Sequence, residues 1–485
     1  MFRNFEFGAV VNGVARKCLV VAGLFVGLAG MCAPSAQAAA AISMATGYAH
    51  NCAVTSAGGV MCWGYNKYGQ LGDNSTTDKS QPGPVIGLGN GISAVTASQF
   101  YSCALTTEGT VKCWGQNLYG QLGNGTATNS YTPVAVPGLT GVVAISSGLA
   151  HSCALLATGN VKCWGSNSNG QVGNGSAGGA TTPVSVIGVS GAIGIATGQG
   201  HSCAVLSNKT VQCWGDNSWG QLGNGTTVRS LTRVNVTGLS DATSIAAGTT
   251  HTCANTTAGS PKCWGNNNNG QLGNGTVATA LLPTPVTGLN SGVTTIAASG
   301  FSVSTCAVLT SGDAKCWGNN ASGQLGNGNK VNQNIPVSVT GLSGGVSAIV
   351  VGTSTACALV PSGLQCWGDN NSGELGVGTF SPIPFPVDVL GLAGSAPPSA
   401  PVPLSPITSN TPVYTWKALP SATSYRLNVN GVITTYTAAA VGCDGGVGLC
   451  RVTGSYLTPG SYTWYVQGYN SFGDGAWSAG TTFVL

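Results

Sequence analysis

The sequence predicts an all-β chain: a seven-bladed β-propeller followed by a second, smaller β domain. Three observations carry that prediction. A passage running Cys-Ala … Cys-Trp-Gly into a Gly/Asn-rich stretch occurs seven times, with its first cysteine at 52, 103, 153, 203, 253, 306 and 357. The intervals are 51, 50, 50, 50, 53 and 51 residues, and a period near fifty marks a propeller or solenoid. Each unit holds four short runs rich in β-branched and aromatic residues, broken by Gly, Asn and Pro, with no sustained helical period. Such runs read as strands and turns. Four strands per unit over seven units is the pattern of propeller blades, whereas the coils of an open solenoid are usually much shorter.

The N-terminus is set apart from this array. Arg16 and Lys17 precede the apolar run "CLVVAGLFVGLAG", and Ala36-Gln37-Ala38 fits a small-x-small cleavage site. Residues 1–38 are therefore read as a secretory signal peptide. The run is shorter than the ~20 residues a membrane span needs, and Met31 directly before Cys32 argues against a lipoprotein. No later segment is long and apolar enough to span, so no membrane span is expected after signal removal. Taking away Arg3, Arg16, Lys17 and Glu6 leaves 13 basic and 11 acidic residues, a net charge of +2. Nucleic-acid binding, which needs clustered Lys and Arg, is not expected. Cys18 and Cys32 leave with the signal, so 16 of 18 cysteines remain. An even number in an exported chain favours disulfides.

The cysteine spacing has a geometric reading. If Cys103 stands opposite Cys113 in a hairpin, Ala104 faces Lys112 and Leu105 faces Val111, and the chain turns at Thr107-Glu108-Gly109. Opposed residues of antiparallel strands have Cα atoms about 4.5–5.5 Å apart, within reach of a disulfide. The seventh unit keeps the opposition: Cys357 and Cys366 are nine apart, and the tip shortens to Pro361-Ser362. The expected pairs are Cys52–Cys62, Cys103–Cys113, Cys153–Cys163, Cys203–Cys213, Cys253–Cys263, Cys306–Cys316 and Cys357–Cys366. Zinc is disfavoured because each unit offers only two sulfurs where four ligands are normal.

The chemistry-bearing residues follow the repeat. His50, His151, His201 and His251 all lie two residues before the first cysteine of a unit, a slot filled elsewhere by Tyr101, Ser304 and Thr355. They are read as structural. Asp216 and Asp369 share one loop slot in the fourth and seventh units, where the others carry Tyr65, Gln116, Ser166, Asn266 and Asn319; that placement does not suggest a carboxylate pair. "DNNSGE" at 369–374 lacks the ligand spacing of a calcium loop. The sequons at Asn124, Asn224 and Asn274 recur because Asn and Gly suit turns. No catalytic residue, metal ligand or cofactor is expected.

Alternation of strand direction does separate two faces. The turn before the histidine slot and the "NxxGQLG" loop fall at the same end of the sheet. Their variable positions carry Tyr48, Tyr68, Phe100, Tyr119, Trp219 and Phe301. The opposite tips (Ala57-Gly58, Glu108-Gly109, Ser362-Gly363) carry no aromatics. Exposed aromatics on one rim suit recognition, so these six are the candidate binding residues.

The motif "GxxHSCAL…GxVKCWGxNxxGQLGNG" resembles the repeat of the regulator of chromosome condensation family. The match runs from about residue 42 to 392, and the resemblance implies a seven-bladed propeller over 39–392. The chain departs from the nuclear member of that family in its cysteine pairs and signal. Beyond a Pro/Ala/Ser linker at 393–400, residues 401–485 resemble a fibronectin type III domain through "LTPGSYTWYVQGYNSFGDGAWS". Tyr462 occupies the tyrosine-corner position, Trp416 the inner core, and Cys443 and Cys450 a local disulfide. The expected function is that of a secreted, monomeric, non-enzymatic protein that binds another protein outside the cell or at its surface. A glycan-binding lectin and an enzyme with its site in the central channel are the alternatives.

Overall fold

The computed structural model describes residues 40–342 and 345–393 of the repeat region, then 403–404, 410–417, 424–437, 439–441, 449–470 and 473–485. Residues 1–39, which include the segment read as a signal peptide, most of the linker and Cys443 lie outside the described residues.

The repeat region forms seven four-stranded antiparallel sheets, each with its strands in sequence order. In the second blade these are Ile92–Ala97, Tyr101–Thr106, Val111–Gly115 and Ser130–Ala135. The first strands of all seven sheets line one central cavity, so the blades are arranged around an axis. The middle strands carry the apolar residues of the motif and are almost wholly buried, whereas the fourth is half exposed and polar. That gradient follows from position, since only the middle strands are covered on both faces and both edges.

The hairpin arithmetic holds residue by residue. Cys103 opposes Cys113, Ala104 opposes Lys112 and Leu105 opposes Val111. In the seventh blade Cys357 opposes Cys366 and Val360 opposes Gly363, leaving Pro361 and Ser362 as the turn. All seven pairs are disulfides, with Cα atoms 4.0–4.1 Å apart.

A blade alone leaves both of its faces bare, so the cores lie between blades. Between the second and third, Tyr101, Cys103, Leu105, Val111 and Leu122 pack on Ala154 and Trp164. The tryptophan of each repeat is fully buried and donates its indole N–H backwards across the interface. Trp114 bonds the carbonyl of Gln70 at 2.8 Å, and Trp164 that of Gln121 at 2.9 Å. Trp214, Trp264, Trp317 and Trp367 do the same to Gln171, Gln221, Gln271 and Gln324.

A ring needs its ends joined and an exposed sheet edge invites aggregation, so the sequence predicts that 386–392 pairs within the sheet containing 41–63, building one blade from both termini. Instead Ile383–Ala393 pairs only with Gly363–Gly368 of its own repeat. Repeat and blade are in phase, and the seam is closed by side chains. Met44, Ala53 and Trp63 pack against Leu359, Leu364, Leu375, Val387 and Leu392, and Trp63 donates to the carbonyl of Glu374. A shared strand is not needed because the seam buries a core like the other six.

Beyond the linker the described strands form two sheets. One joins Pro403–Leu404, Val413–Lys417 and Leu449–Thr453; the other contains Ser424–Val429, Val432–Thr437, Ser461–Asn470, Gly473–Trp477 and Thr481–Val484. Tyr414, Trp416 and Val452 of the first pack against Tyr425, Leu427, Trp464 and Val466 of the second. Tyr462 donates its hydroxyl to the carbonyl of Thr458 at 2.9 Å. Cys450 is disulfide-bonded.

Candidate binding face

The histidine slot is an interblade clasp. His50 Nε2 lies 2.8 Å from the Ser102 hydroxyl of the next blade, which itself donates to the carbonyl of Gln70 at 3.0 Å. Because that hydroxyl proton is committed, His50 must be the donor, a neutral ring protonated at Nε2. His151–Ser202, His201–Thr252 and His251–Thr305 repeat the arrangement at 2.9 Å, with the hydroxyls donating to Gln171, Gln221 and Gln271. Tyr101 reaches further and donates to the carbonyl of His151 at 2.6 Å. Burial holds the four imidazoles far below their ordinary pKa, at about 3 for His50, His151 and His251 and about 4 for His201. Each Nδ1 is buried without a hydrogen-bond partner. These rings are structural.

The loop after each third strand is organised by a buried asparagine. Asn117 Nδ2 donates to Asn124 Oδ1, its Oδ1 accepts the Leu122 amide, and Asn124 Oδ1 also caps Thr126. The same bonds recur at Asn217 with Asn224 and at Asn267 with Asn274. The sequon asparagines thus serve as loop braces. Within this frame, Gln121 fixes the chain at Tyr119 by accepting its amide at 2.8 Å, and Gln70 and Gln221 do so at Tyr68 and Trp219. The variable side chains between brace and glutamine are presented outwards from a rigid loop.

Four rings meet on this face. Phe100 stands 5.9 Å from Tyr48, 6.0 Å from Tyr65 and 4.7 Å from Tyr68, centroid to centroid. Contact between the first-turn residues (Tyr48, Phe100) and the loop residues (Tyr65, Tyr68) places both loop sets on one face. Tyr48 is 44% exposed; Tyr65, Tyr68 and Phe100 are half-buried. Tyr119 at 54% and Trp219 at 39% stand exposed on the corresponding loops of the second and fourth blades. Sequence reasoning missed Tyr65 as a member of the cluster, although its slot had been identified. Lys67 is exposed in the same loop.

Phe301 is a correction. It is 7% exposed and offers no surface to a ligand. The sixth blade carries three extra residues here, and the segment 298–303 turns inward rather than out. The carbonyl of Ser302 accepts both the amide and the hydroxyl of Thr249 from the fifth blade. A Cβ added to Gly300 would lie only 3.1–3.2 Å from Gly198 and Gly148, in the fourth and third blades. The insertion therefore crosses the axis and stoppers the channel at the aromatic face.

Among the described residues no group of three or more His, Cys, Asp or Glu could hold a metal ion. The loop at 369–374 uses its acids internally: Asp369 accepts the Asn370 amide and Glu374 the Ser372 amide.

Comparison with known proteins gives a consistent picture. A family model described as Regulator of chromosome condensation (RCC1) repeat matches residues 57–105, 108–155, 158–205, 210–254, 263–305 and 311–359. A second model of the same description matches six segments between 41 and 324. The human "Probable E3 ubiquitin-protein ligase HERC4" is 40% identical over 95 residues, 19% of this chain and 9% of that protein. The human "E3 ubiquitin-protein ligase HERC2" is 33% identical over 103 residues, 21% of this chain and 2% of its own length. The chain thus spans less than a tenth of these curated relatives. Among solved structures, human WBSCR16 superposes with a TM-score of 0.58 at 24% identity, over 64% of this chain and 84% of that one. The crystal structure of Kap60 bound to yeast RCC1 (Prp20) gives 0.57 at 21% identity, over 64% and 78%. At these identities the likeness is one of fold.

Proposed function

Since this chain belongs to the Regulator of chromosome condensation (RCC1) repeat family, we propose that its propeller is a non-enzymatic binding module that holds another protein on the aromatic face. The observation that carries this reading is the convergence of Tyr48, Tyr65, Tyr68 and Phe100 across the first two blades, on loops braced from below. Rigid aromatic groups with polar tips give large contact area at little entropic cost, which is why they dominate interface hot spots. Two similar propellers have protein partners, Kap60 for yeast RCC1 (Prp20) in one structure and Gsp1p and histones for Prp20p in the other; partner binding as a class, rather than those partners, is what is proposed here. Ligase activity belongs to relatives of which this chain covers a small fraction, and it forms no part of the proposal.

The site of action is proposed to be extracellular or at the cell surface. The N-terminal signal pattern and the cysteine content support it, because seven within-blade disulfides suit an oxidising compartment. The C-terminal sandwich is proposed to be a fibronectin type III-like module that spaces or attaches the propeller. The two-sheet packing and the bond from Tyr462 to Thr458 support that assignment.

Affinity capture with the purified chain, run beside a glycan array, tests the function. Recovery of a defined protein partner whose binding weakens in Tyr68→Ala and Tyr119→Ala, but not in Glu108→Ala on the opposite tips, is expected. Binding of glycans alone, or equal losses from both faces, would overturn the reading.

A further inference from the structure

The stoppered channel is a blind pocket, and nothing in the proposed binding face uses it. Its walls are the first strands of the seven blades, and its floor is the insertion of the sixth, Ala298, Ser299 and Gly300. The cavity volume is about 310 Å³, at the small end of the range for ligand sites, which runs from about 300 to 1,000 Å³. Gly300 closes it towards the aromatic face, so access is from the hairpin-tip face.

The lining is specific in what it lacks. No charged side chain borders the pocket. Ile145, Ile195 and Ile245 occupy equivalent positions on consecutive blades, each partly packed into its interblade core and partly lining the pocket. Met44, Val95, Ile296 and Ile349 complete the ring. Most hydroxyls on the wall are already paired with one another: Thr96 with Ser147 and Ser146 with Thr197, both at 2.8 Å. Two of the remaining three, Thr46 Oγ1 and Ser299 Oγ, are buried beneath the wall and have no hydrogen-bond partner.

The approach is apolar on three of the blades. Near its start, the first strand of several blades carries a bulge whose extra residue has no cross-strand partner; in the first, third and fourth blades this residue is Ile42, Val143 and Ile193. Each of the three is 55% exposed, at the open end of the strands.

We propose that the axis of the propeller is a binding site for one small, uncharged molecule that carries both apolar and hydrogen-bonding groups. A charged ligand is rejected because no charged side chain borders the pocket to replace its hydration. Ile145, Ile195 and Ile245, which are only partly buried, supply affinity through area removed from water. This site is independent of the partner surface on the opposite side of the stopper.

A matched pair of fluorescent probes tests it on the full chain. N-phenyl-1-naphthylamine is neutral with one N–H; 1-anilinonaphthalene-8-sulfonate has the same rings plus a charge. The neutral probe should bind with one equivalent per chain, and the sulfonate on the order of tenfold or more weaker. Ile195→Trp, which fills the pocket, should abolish binding. Ile245→Gln, which keeps the volume but places an amide in the wall, should weaken it several-fold, and it decides the matter if Ile195→Trp does not fold. Tyr68→Ala should leave probe binding unchanged. No saturable signal, equal binding of both probes, several equivalents per chain, or insensitivity to Ile245→Gln would overturn the assignment.

Discussion

The main-chain oxygen of Glu374 accepts the indole N–H of Trp63 at 2.7 Å, joining the last blade of the ring to the first. The same oxygen accepts Asn51 Nδ2 at 2.6 Å. In the four interfaces closed by a histidine clasp, the second donor to the equivalent carbonyl is a serine or threonine hydroxyl. The seam thus reproduces, with different side chains, the bond pattern of the interior of the ring.

If the seam is an ordinary interface, Trp63→Phe should cost about as much as Trp214→Phe within the ring. Loss of the hydrogen bond and of part of the packing predicts about 1–4 kcal/mol for each. Equilibrium urea unfolding of the two variants checks this. A far larger loss for Trp63→Phe would mean that closure rests on this one side chain.

Glu374 stands where the other six blades have glutamine, and burial, with Asp369 and Asp78 nearby, raises its carboxyl to about 7. Between its ordinary value of 4.5 and about 7 the folded chain holds a proton that the unfolded chain has released. Its contribution to stability is therefore present at low pH and lost as pH rises through 7. Gln221 donates to Asp216 at 2.8 Å in the equivalent pair, so Glu374→Gln should make that bond to Asp369 at any pH. Melting temperatures should show a clear gain for the variant at pH 8 and little at pH 5. An equal gain at both would contradict the assignment.

The four clasp histidines act in the opposite direction. Burial depresses them from 6.5 to about 3 or 4. Below pH 6.5 the unfolded chain binds protons that the folded chain excludes, so stability declines with falling pH until those folded values are reached. Near pH 5 unfolding should take up about three protons, four from the imidazoles less about one from Glu374. The slope of unfolding free energy against pH measures that number, and a flat profile between pH 7 and 5 would contradict it.

Each disulfide closes a hairpin of about ten residues, for which the chain-entropy account gives about 2–3 kcal/mol. Replacing Cys103 and Cys113 together by Ala should lower stability by that order while leaving the propeller formed. Peptide mapping without reduction should recover only within-blade pairs in the repeat region; a bridge between blades would contradict the register.

Phe100 is the ring that Tyr48, Tyr65 and Tyr68 share. Phe100→Ala should therefore disperse the cluster and weaken partner binding by more than about 2 kcal/mol, the size of an interface hot spot, with Tyr119→Ala costing less. Titration calorimetry with the captured partner compares them.

By itself the sequence determined the features that depend on neighbours a few residues away. The number of blades, the four strands of each, the opposition of Cys357 and Cys366 across a shortened tip, and the division of loops between two faces all follow from spacing and alternation, because a strand has period two and a hairpin is local. The structural character of His50, His151, His201 and His251 was legible for the same reason, being tied to the repeat. Only the tertiary structure decided what depends on residues fifty or more positions apart. Closure by side chains rather than by a shared strand was one such outcome, since 386–392 has the same pattern under either pairing. The fate of Phe301 was another. An insertion of three residues reads as a longer exposed turn until the ring brings Gly148, Gly198 and Thr249 around it, and an apolar side chain beside a narrow axis is more stable inside than in water. Glu374 likewise reads as one more polar loop residue until the seam buries it.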